Sequence, residues 1–176
     1  MDNKIPLVVL GIGNILMSDD GVGVRVAQEL DKTWDFPAEV EIVDGGVLGL
    51  SLLSVLESAG RLIVVDAVRL GGRPGDLYRL PWEELKARTR YKDSLHQIDF
   101  VETMAVLPLI GTPPPTIIIG VEPADVETFS LNLSPVVAGR LPDLCRMVLE
   151  ELKARGFEPR PKENINDVPG GTGPDS

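Results

Sequence analysis

Two carboxylates and one imidazole in this chain have the side-chain types needed to bind a divalent metal ion. Asp20 follows a glycine-containing stretch near the N-terminus, and Asp66 ends a short apolar run. His96 is the single histidine among 176 residues, so any imidazole chemistry depends on it. Carboxylate and imidazole groups suit divalent first-row metals, and an imidazole with a pKa near 6.5 also suits general base work. These three residues are therefore the candidates for a metal or acid–base site.

Apolar runs alternate with amphipathic segments along the chain, which is typical of an α/β fold. The strand segments are apolar throughout, as expected for strands covered on both faces. We therefore predict a three-layer sandwich, with a mostly parallel, twisted β-sheet between helices. The edge strand at 76–80 is expected to be antiparallel, and Pro142 is expected to kink or restart the last helix. Strands are predicted at 7–10, 40–43, 62–65, 76–80 and 116–121, and helices at 21–30, 48–59, 94–109 and from Pro135 onward.

The predicted topology places the candidate residues near one edge of the sheet. Ligands in open α/β sheets bind at the carboxyl ends of the strands. Asp20 lies in the loop after the first strand, and Asp66 lies at the end of the third. His96 lies at the start of the predicted helix that leads to the last strand. All three could therefore reach the same edge.

Composition limits the other classes of function. The chain has 27 acidic and 17 basic residues and a net charge of −10, which argues against nucleic acid and anionic membranes as partners. Cys145 is alone, so the sequence contains no intramolecular disulfide and no Cys-x-x-Cys metal site. No apolar run is long enough to span a bilayer, and the N-terminus lacks the features of a signal peptide. We expect a cytoplasmic protein with one domain at 1–159 and a flexible C-terminal tail at 160–176.

Each candidate residue also has an ordinary structural interpretation. The pair Asp19 and Asp20, like Ser18, could simply cap the following helix. Asp66 could be neutralised by a structural partner, and His96 could cap a helix or satisfy a loop carbonyl. The dinucleotide-binding pattern that begins at Gly11 fails, because Leu16 stands where its third glycine is required.

The ordered set of motifs resembles the hydrogenase maturation endopeptidases, which process nickel-iron hydrogenase large subunits. The resemblance spans about residues 7–155 and is strongest in the opening stretch. The motifs occur in family order: LGIGNILMSDDGVGVR at 10–25, DGGVLG at 44–49, VVDA at 64–67, SLHQ at 94–97, IGVEP at 119–123 and LSP at 133–135.

The resemblance implies roles for particular residues. Its metal-binding carboxylates and histidine match Asp20, Asp66 and His96, which makes these residues the implied catalytic and nickel-binding set. The loop of Asp44, Gly45 and Gly46 matches a mobile segment linked to substrate selection. The implied reaction removes a C-terminal extension from the hydrogenase large-subunit precursor after nickel insertion. Nickel would be presented by the precursor and only weakly held by the free enzyme.

Two other functions remain open at this point. A phospho-accepting receiver domain also has an acidic pair after its first strand and an aspartate ending its third, as Asp19, Asp20 and Asp66 do here. Such a domain needs a lysine after its last strand, where this chain has Glu122. A chaperone that binds the large subunit without cutting it is the second alternative, since a catalytic water leaves no motif.

Overall fold

The computed structural model describes residues 5–46, 51–88, 104, 108 and 111–163 of the chain. Its central feature is a five-stranded sheet with the strand order β3-β1-β4-β6-β5. Four of these strands are parallel, and β5 pairs antiparallel with β6 at the edge. The strands in the described residues are β1 (Leu7–Ile12), β2 (Trp34–Asp35), β3 (Val40–Gly46), β4 (Leu62–Ala67), β5 (Leu77–Pro81), β6 (Thr116–Val121) and β7 (Arg160–Pro161).

Helices cover both faces of this sheet and complete the predicted three-layer α/β sandwich. In the last helical region Ser134 caps the first helix through its hydroxyl, and Pro142 stands in the first turn of the second. A 3-10 helix at Ser18–Gly21 precedes α1. The described helices are α1 (Val22–Thr33), α2 (Ser51–Ser58), α3 (Trp82–Arg88), α4 (Pro135–Ala138) and α5 (Leu141–Ala154).

The alternation of side chains along β1 divides the core into two halves. Leu7 and Val9 belong to the half that α1 and α5 cover, and Val8 and Leu10 belong to the half that α2 and α3 cover. All six residues of β1 and all six of β4 are buried. A strand with no polar face must be covered on both sides, which explains why these continuous apolar runs occupy the centre of the sheet.

Three details differ from the sequence-based expectations. β3 continues through Gly46, past the predicted stop at Asp44, because a register shift between Gly11 and Ile12 of β1 accommodates the extra residue. α1 receives no side-chain cap, so the aspartate pair does not serve as its N-cap. Arg160 and Pro161, the start of the predicted tail, pair with β2.

Some predictions fall on residues outside the described ranges. The proposed helix at 94–109 is described only at Met104, which is buried, and at Pro108. Residues 164–176 of the proposed tail lie outside as well. No helix within the described ranges is long and apolar enough to cross a bilayer.

Candidate active site

Glycines allow the start of α1 to approach the carboxyl ends of β1 and β4. A Cβ atom on Gly23 would overlap the carbonyl oxygen of Val65, and one on Gly11 would overlap the carbonyl oxygen of Gly23. Gly13 has φ +126°, and a Cβ there would overlap the carbonyl oxygen of Asp20. The glycines that fail as a dinucleotide fingerprint therefore serve close packing. This packing places the residues before α1 beside the end of β4.

Asp20 closes the loop that joins β1 to the 3-10 helix. Its Oδ2 accepts the backbone N–H of Asn14 at 2.9 Å, and its own N–H donates to the carbonyl oxygen of Met17 at 3.1 Å. The Met17 N–H in turn donates to the Asn14 carbonyl oxygen at 3.0 Å. Asp20 is only 6% exposed. These bonds fix the position of a buried carboxylate at the edge of the sheet.

Asp66 is the next-to-last residue of β4 and is 7% exposed. Burial raises the pKa of its carboxyl well above the usual range, and the negative charge of Asp20 raises it further. The N–H of Ala67, which donates to Asp66 Oδ1 at 2.8 Å, acts in the opposite direction. Asp20 and Asp66 are thus two carboxylates whose charges repel each other. Such a pair favours binding of either a proton or a cation.

Asp19 has a structural environment quite unlike that of its neighbour Asp20. It is fully buried, and its Oδ2 accepts from Ala124 N at 2.9 Å, Asp125 N at 3.0 Å and Ser134 Oγ at 2.8 Å. Its Oδ1 accepts from Ser134 N at 2.7 Å. Asp19 therefore anchors the segment 124–134 beside the candidate site. The local sequence pattern does not distinguish the two aspartates, and only the family resemblance assigned Asp20 to the metal.

Glu122 is a further buried acid at this edge, and it was not among the predicted site residues. Its Oε2 accepts from Leu70 N at 2.9 Å, Gly72 N at 3.1 Å and the Tyr78 hydroxyl at 2.6 Å. Burial, together with the bond to Glu122, raises the pKa of Tyr78 to about 12. Glu122 thereby fixes the loop that follows Asp66. The sequence signal for this role was the position of Glu122 directly after the apolar strand β6.

Asp44, Gly45 and Gly46, which were predicted as a loop, form the end of β3 and lie at the same edge as the carboxylates. Asp44 Oδ2 accepts from Gln28 Nε2 at 3.0 Å, and Asp44 Oδ1 accepts from Gly46 N at 3.2 Å. The carbonyl oxygen of Gly46 accepts from Gly13 N at 3.0 Å, which links the end of β3 to the loop that carries Asp20. Gly46 has φ +49°, a conformation that favours glycine. The role of these three residues in substrate selection stays a prediction.

The structure brings two of the three predicted site residues together. Asp20 and Asp66 interact electrostatically, whereas His96 lies outside the described residues. Within the described ranges, no group of three His, Cys, Asp or Glu side chains could hold a metal ion. The convergence of His96 on the two carboxylates therefore stays a prediction.

Comparison with known proteins identifies a family whose sequences are similar to this chain. Residues 24–151 match the family model HycI, described as hydrogenase maturation protease. The hydrogenase expression/formation protein HupD of Rhodobacter capsulatus is 40% identical over 154 residues, which cover 86% of this chain and 73% of that protein. The hydrogenase 2 maturation protease of Escherichia coli strain K12 is 34% identical over 163 residues, which cover 92% and 99% of the two chains.

Solved structures share the fold. The hydrogenase maturating endopeptidase HybD from E. coli superimposes with a TM-score of 0.83 at 33% identity, covering 89% of this chain and 98% of its own. The [NiFe] hydrogenase maturation protease HybD from Thermococcus kodakarensis has a TM-score of 0.69 at 18% identity, covering 83% and 98%. The second similarity concerns the fold alone.

Proposed function

Since this chain belongs to the hydrogenase maturation proteases, and is therefore a peptidase, we propose that it removes the C-terminal extension of a nickel-iron hydrogenase large-subunit precursor. Cleavage would follow nickel insertion, and the nickel carried by the precursor would be the element that the enzyme recognises. The residues proposed to bind that nickel are Asp20, Asp66 and His96.

The paired carboxylates of Asp20 and Asp66 carry this proposal. Both are buried at the carboxyl edge of the sheet, where open α/β folds bind ligands. The repulsion that raises the pKa of Asp66 is relieved when a divalent cation lies between the two carboxylates. A metal-binding role thus accounts for an arrangement that is unfavourable in the protein alone.

The donor set suits an ion that arrives with the substrate. Two carboxylates and one imidazole leave coordination positions open, so the isolated enzyme should bind nickel weakly. Cysteine thiolates of the precursor would supply further ligands, since nickel accepts imidazole and thiolate donors. A precursor without nickel would then lack the bond that joins it to this edge of the sheet.

We assign the proton transfer in hydrolysis to Asp66. A carboxylate oxygen that nickel leaves free can accept a proton, and burial, the larger cause of the raised pKa of Asp66, makes it a stronger base than an exposed aspartate. The Ala67 N–H orients its Oδ1. Asp66 would accept a proton from the water whose oxygen attacks the scissile carbonyl carbon. The same proton would then pass to the departing amine as the carbon–nitrogen bond breaks.

The test is cleavage of purified precursor with and without nickel, followed by intact-mass spectrometry. We expect a mass loss equal to the C-terminal extension only with nickel-loaded precursor and wild-type protein. The variant Asp66→Asn should produce no loss, while Glu39→Gln, at the opposite end of the sheet, should cleave normally. A stable complex with no loss of mass would indicate the binding-only chaperone instead.

A further inference from the structure

An apolar surface lies next to the candidate active site, formed by Leu16, Phe129 and Leu131. These side chains are 42%, 76% and 60% exposed, respectively. Single exposed apolar residues are ordinary, but adjacent ones on an ordered segment are typical of an interaction surface.

Backbone hydrogen bonds bring the three residues together although they are far apart in sequence. Met17 and Ser130 form an isolated parallel β-bridge. In this bridge Ser130 N donates to the Leu16 carbonyl oxygen at 2.9 Å, and Ser18 N donates to the Ser130 carbonyl oxygen at 2.9 Å. Leu16 therefore lies alongside the segment that carries Phe129 and Leu131.

The segment is firmly held, so its apolar side chains are displayed in a defined arrangement. Arg25 Nη2 donates to the Leu131 carbonyl oxygen at 2.8 Å. Asp125 Oδ1 accepts from the N–H groups of Glu127 and Thr128, each at 2.9 Å. Asp19 ties both ends of the segment to the 3-10 helix, as described above. A surface ordered before binding loses less conformational entropy when a partner docks.

The surface is continuous with the site proposed for peptide cleavage. Leu16 lies within the loop that the bond from Asn14 N to Asp20 Oδ2 closes. A polypeptide whose scissile bond reached Asp20 and Asp66 would thus have its neighbouring residues close to this surface.

The charge of the protein indicates what chemistry the partner has. The chain carries a net charge of −10, and the exposed Glu127 lies two residues from Phe129. Arg25, whose Nη2 donates to the Leu131 carbonyl oxygen, keeps its positive charge, so the acidic character of this surface comes from Glu127 and from the net charge of the whole protein. A matching partner therefore presents apolar side chains flanked by lysine or arginine.

We propose that Leu16, Phe129 and Leu131 form a docking surface for a segment of the large-subunit precursor that carries apolar side chains beside basic ones. The identification of the bound segment as part of the precursor rests on the proposed function, whereas binding at this surface requires neither nickel nor cleavage. The surface would bind nickel-free and nickel-loaded precursor alike. It would keep the precursor bound while Asp20, Asp66 and His96 test for nickel.

The experiment measures the Kd of nickel-free precursor by biolayer interferometry. The double variant Phe129→Ser with Leu131→Asn should raise the Kd at least tenfold, whereas the apolar control Phe129→Leu with Leu131→Met should stay within twofold of wild type. Glu127→Lys should weaken binding at least threefold, and Glu39→Lys at the opposite edge should not. Thermal melting of each variant checks that the fold is retained.

Equal Kd values for the polar and apolar double variants, or no binding by wild-type protein, would overturn the docking surface. Cleavage of nickel-loaded precursor by wild-type protein is measured in parallel and tests the peptidase proposal separately. A wild-type protein that binds through this surface but never cleaves would leave the surface supported and the peptidase proposal refuted.

Discussion

Asp20 and Asp66 bring two buried carboxylates from different elements to one edge of the sheet, and the charge of the first raises the pKa of the second. Burial of one ionised carboxyl is already unfavourable, and a like charge beside it adds to the cost. Such an arrangement persists when function requires it, as at metal and acid–base sites.

Loss of either carboxylate, or of the histidine, should abolish processing without unfolding the protein. We expect Asp20→Asn, Asp66→Asn and His96→Ala each to lower kcat/KM for nickel-loaded precursor by about 10²–10⁴-fold, the range for removal of a general acid–base group. Cleavage is followed by intact-mass spectrometry and folding by circular dichroism. Wild-type rates in all three variants would refute the assignment.

Asp66→Asn should also make the metal-free protein more stable at neutral pH. The folded-state pKa of Asp66 lies above its unfolded value, so the folded protein binds this proton more tightly. Its contribution is therefore fully favourable below about pH 4 and is lost as pH rises through the folded pKa. The amide cannot ionise, so we expect a gain of about 0.5–2 kcal/mol at pH 7.

Urea unfolding with chelator present, at pH 4 and pH 7, measures this effect. The gain should shrink at pH 4, where Asp66 is protonated in the folded wild-type protein. A variant that is less stable than wild type at pH 7 would contradict this account of the pair.

Asp19 should matter chiefly for stability, in contrast to Asp20. Asp19→Asn replaces one acceptor oxygen by an N–H₂ group facing donors, and we expect a loss of about 2–4 kcal/mol in the free energy of unfolding. Ser134→Ala should cost about 1 kcal/mol, because the Ser134 hydroxyl both donates to Asp19 and caps α4.

Chemical unfolding of the two single variants and the double variant gives the coupling energy between Asp19 and Ser134. Additive losses would show that the bond from the hydroxyl to the carboxylate contributes little. Asp20→Asn serves as the comparison, and a loss of stability equal to that of Asp19→Asn would contradict the different roles assigned to the pair.

Tyr78 should ionise at a higher pH than an ordinary tyrosine, and it should stabilise the fold only while its hydroxyl is protonated. Its folded pKa of about 12 exceeds the unfolded value of about 10. The stabilisation from its bond to Glu122 is therefore fully present below about pH 10 and is lost as pH rises towards 12. Tyr78→Phe should be less stable at pH 8 and should lack this alkaline loss.

Absorbance at 295 nm follows the ionisation, and the chain has only two tyrosines, so the difference between wild type and Tyr78→Phe isolates Tyr78. A midpoint near 10 in that difference would show that the bond to Glu122 is absent in solution.

The fold and the general position of the site could be predicted from local patterns. Continuous apolar runs such as Leu7–Ile12 indicate strands buried on both faces, and parallel strands place their carboxyl ends at one edge. Asp66 stood out for this reason, because a carboxylate directly after such a run needs a partner or a function.

The family resemblance assigned Asp20 to the metal, but the structural role of Asp19 could not be predicted, because adjacent acids have the same local pattern. Their roles differ because Asp19 meets Ser134, which is 115 residues away in sequence, whereas Asp20 meets the end of β4. Glu122 was overlooked for a related reason: its three donors come from the loop after Asp66 and from β5.

The sequence by itself determined the α/β sandwich, the family and the residue types available for chemistry, since these depend on local periodicity and motif order. Only the tertiary structure decided which acids are structural, which are paired at the edge, and which apolar side chains remain exposed beside them. Those properties depend on contacts between distant segments, and on the burial that such contacts create, neither of which is encoded in any single stretch of the chain.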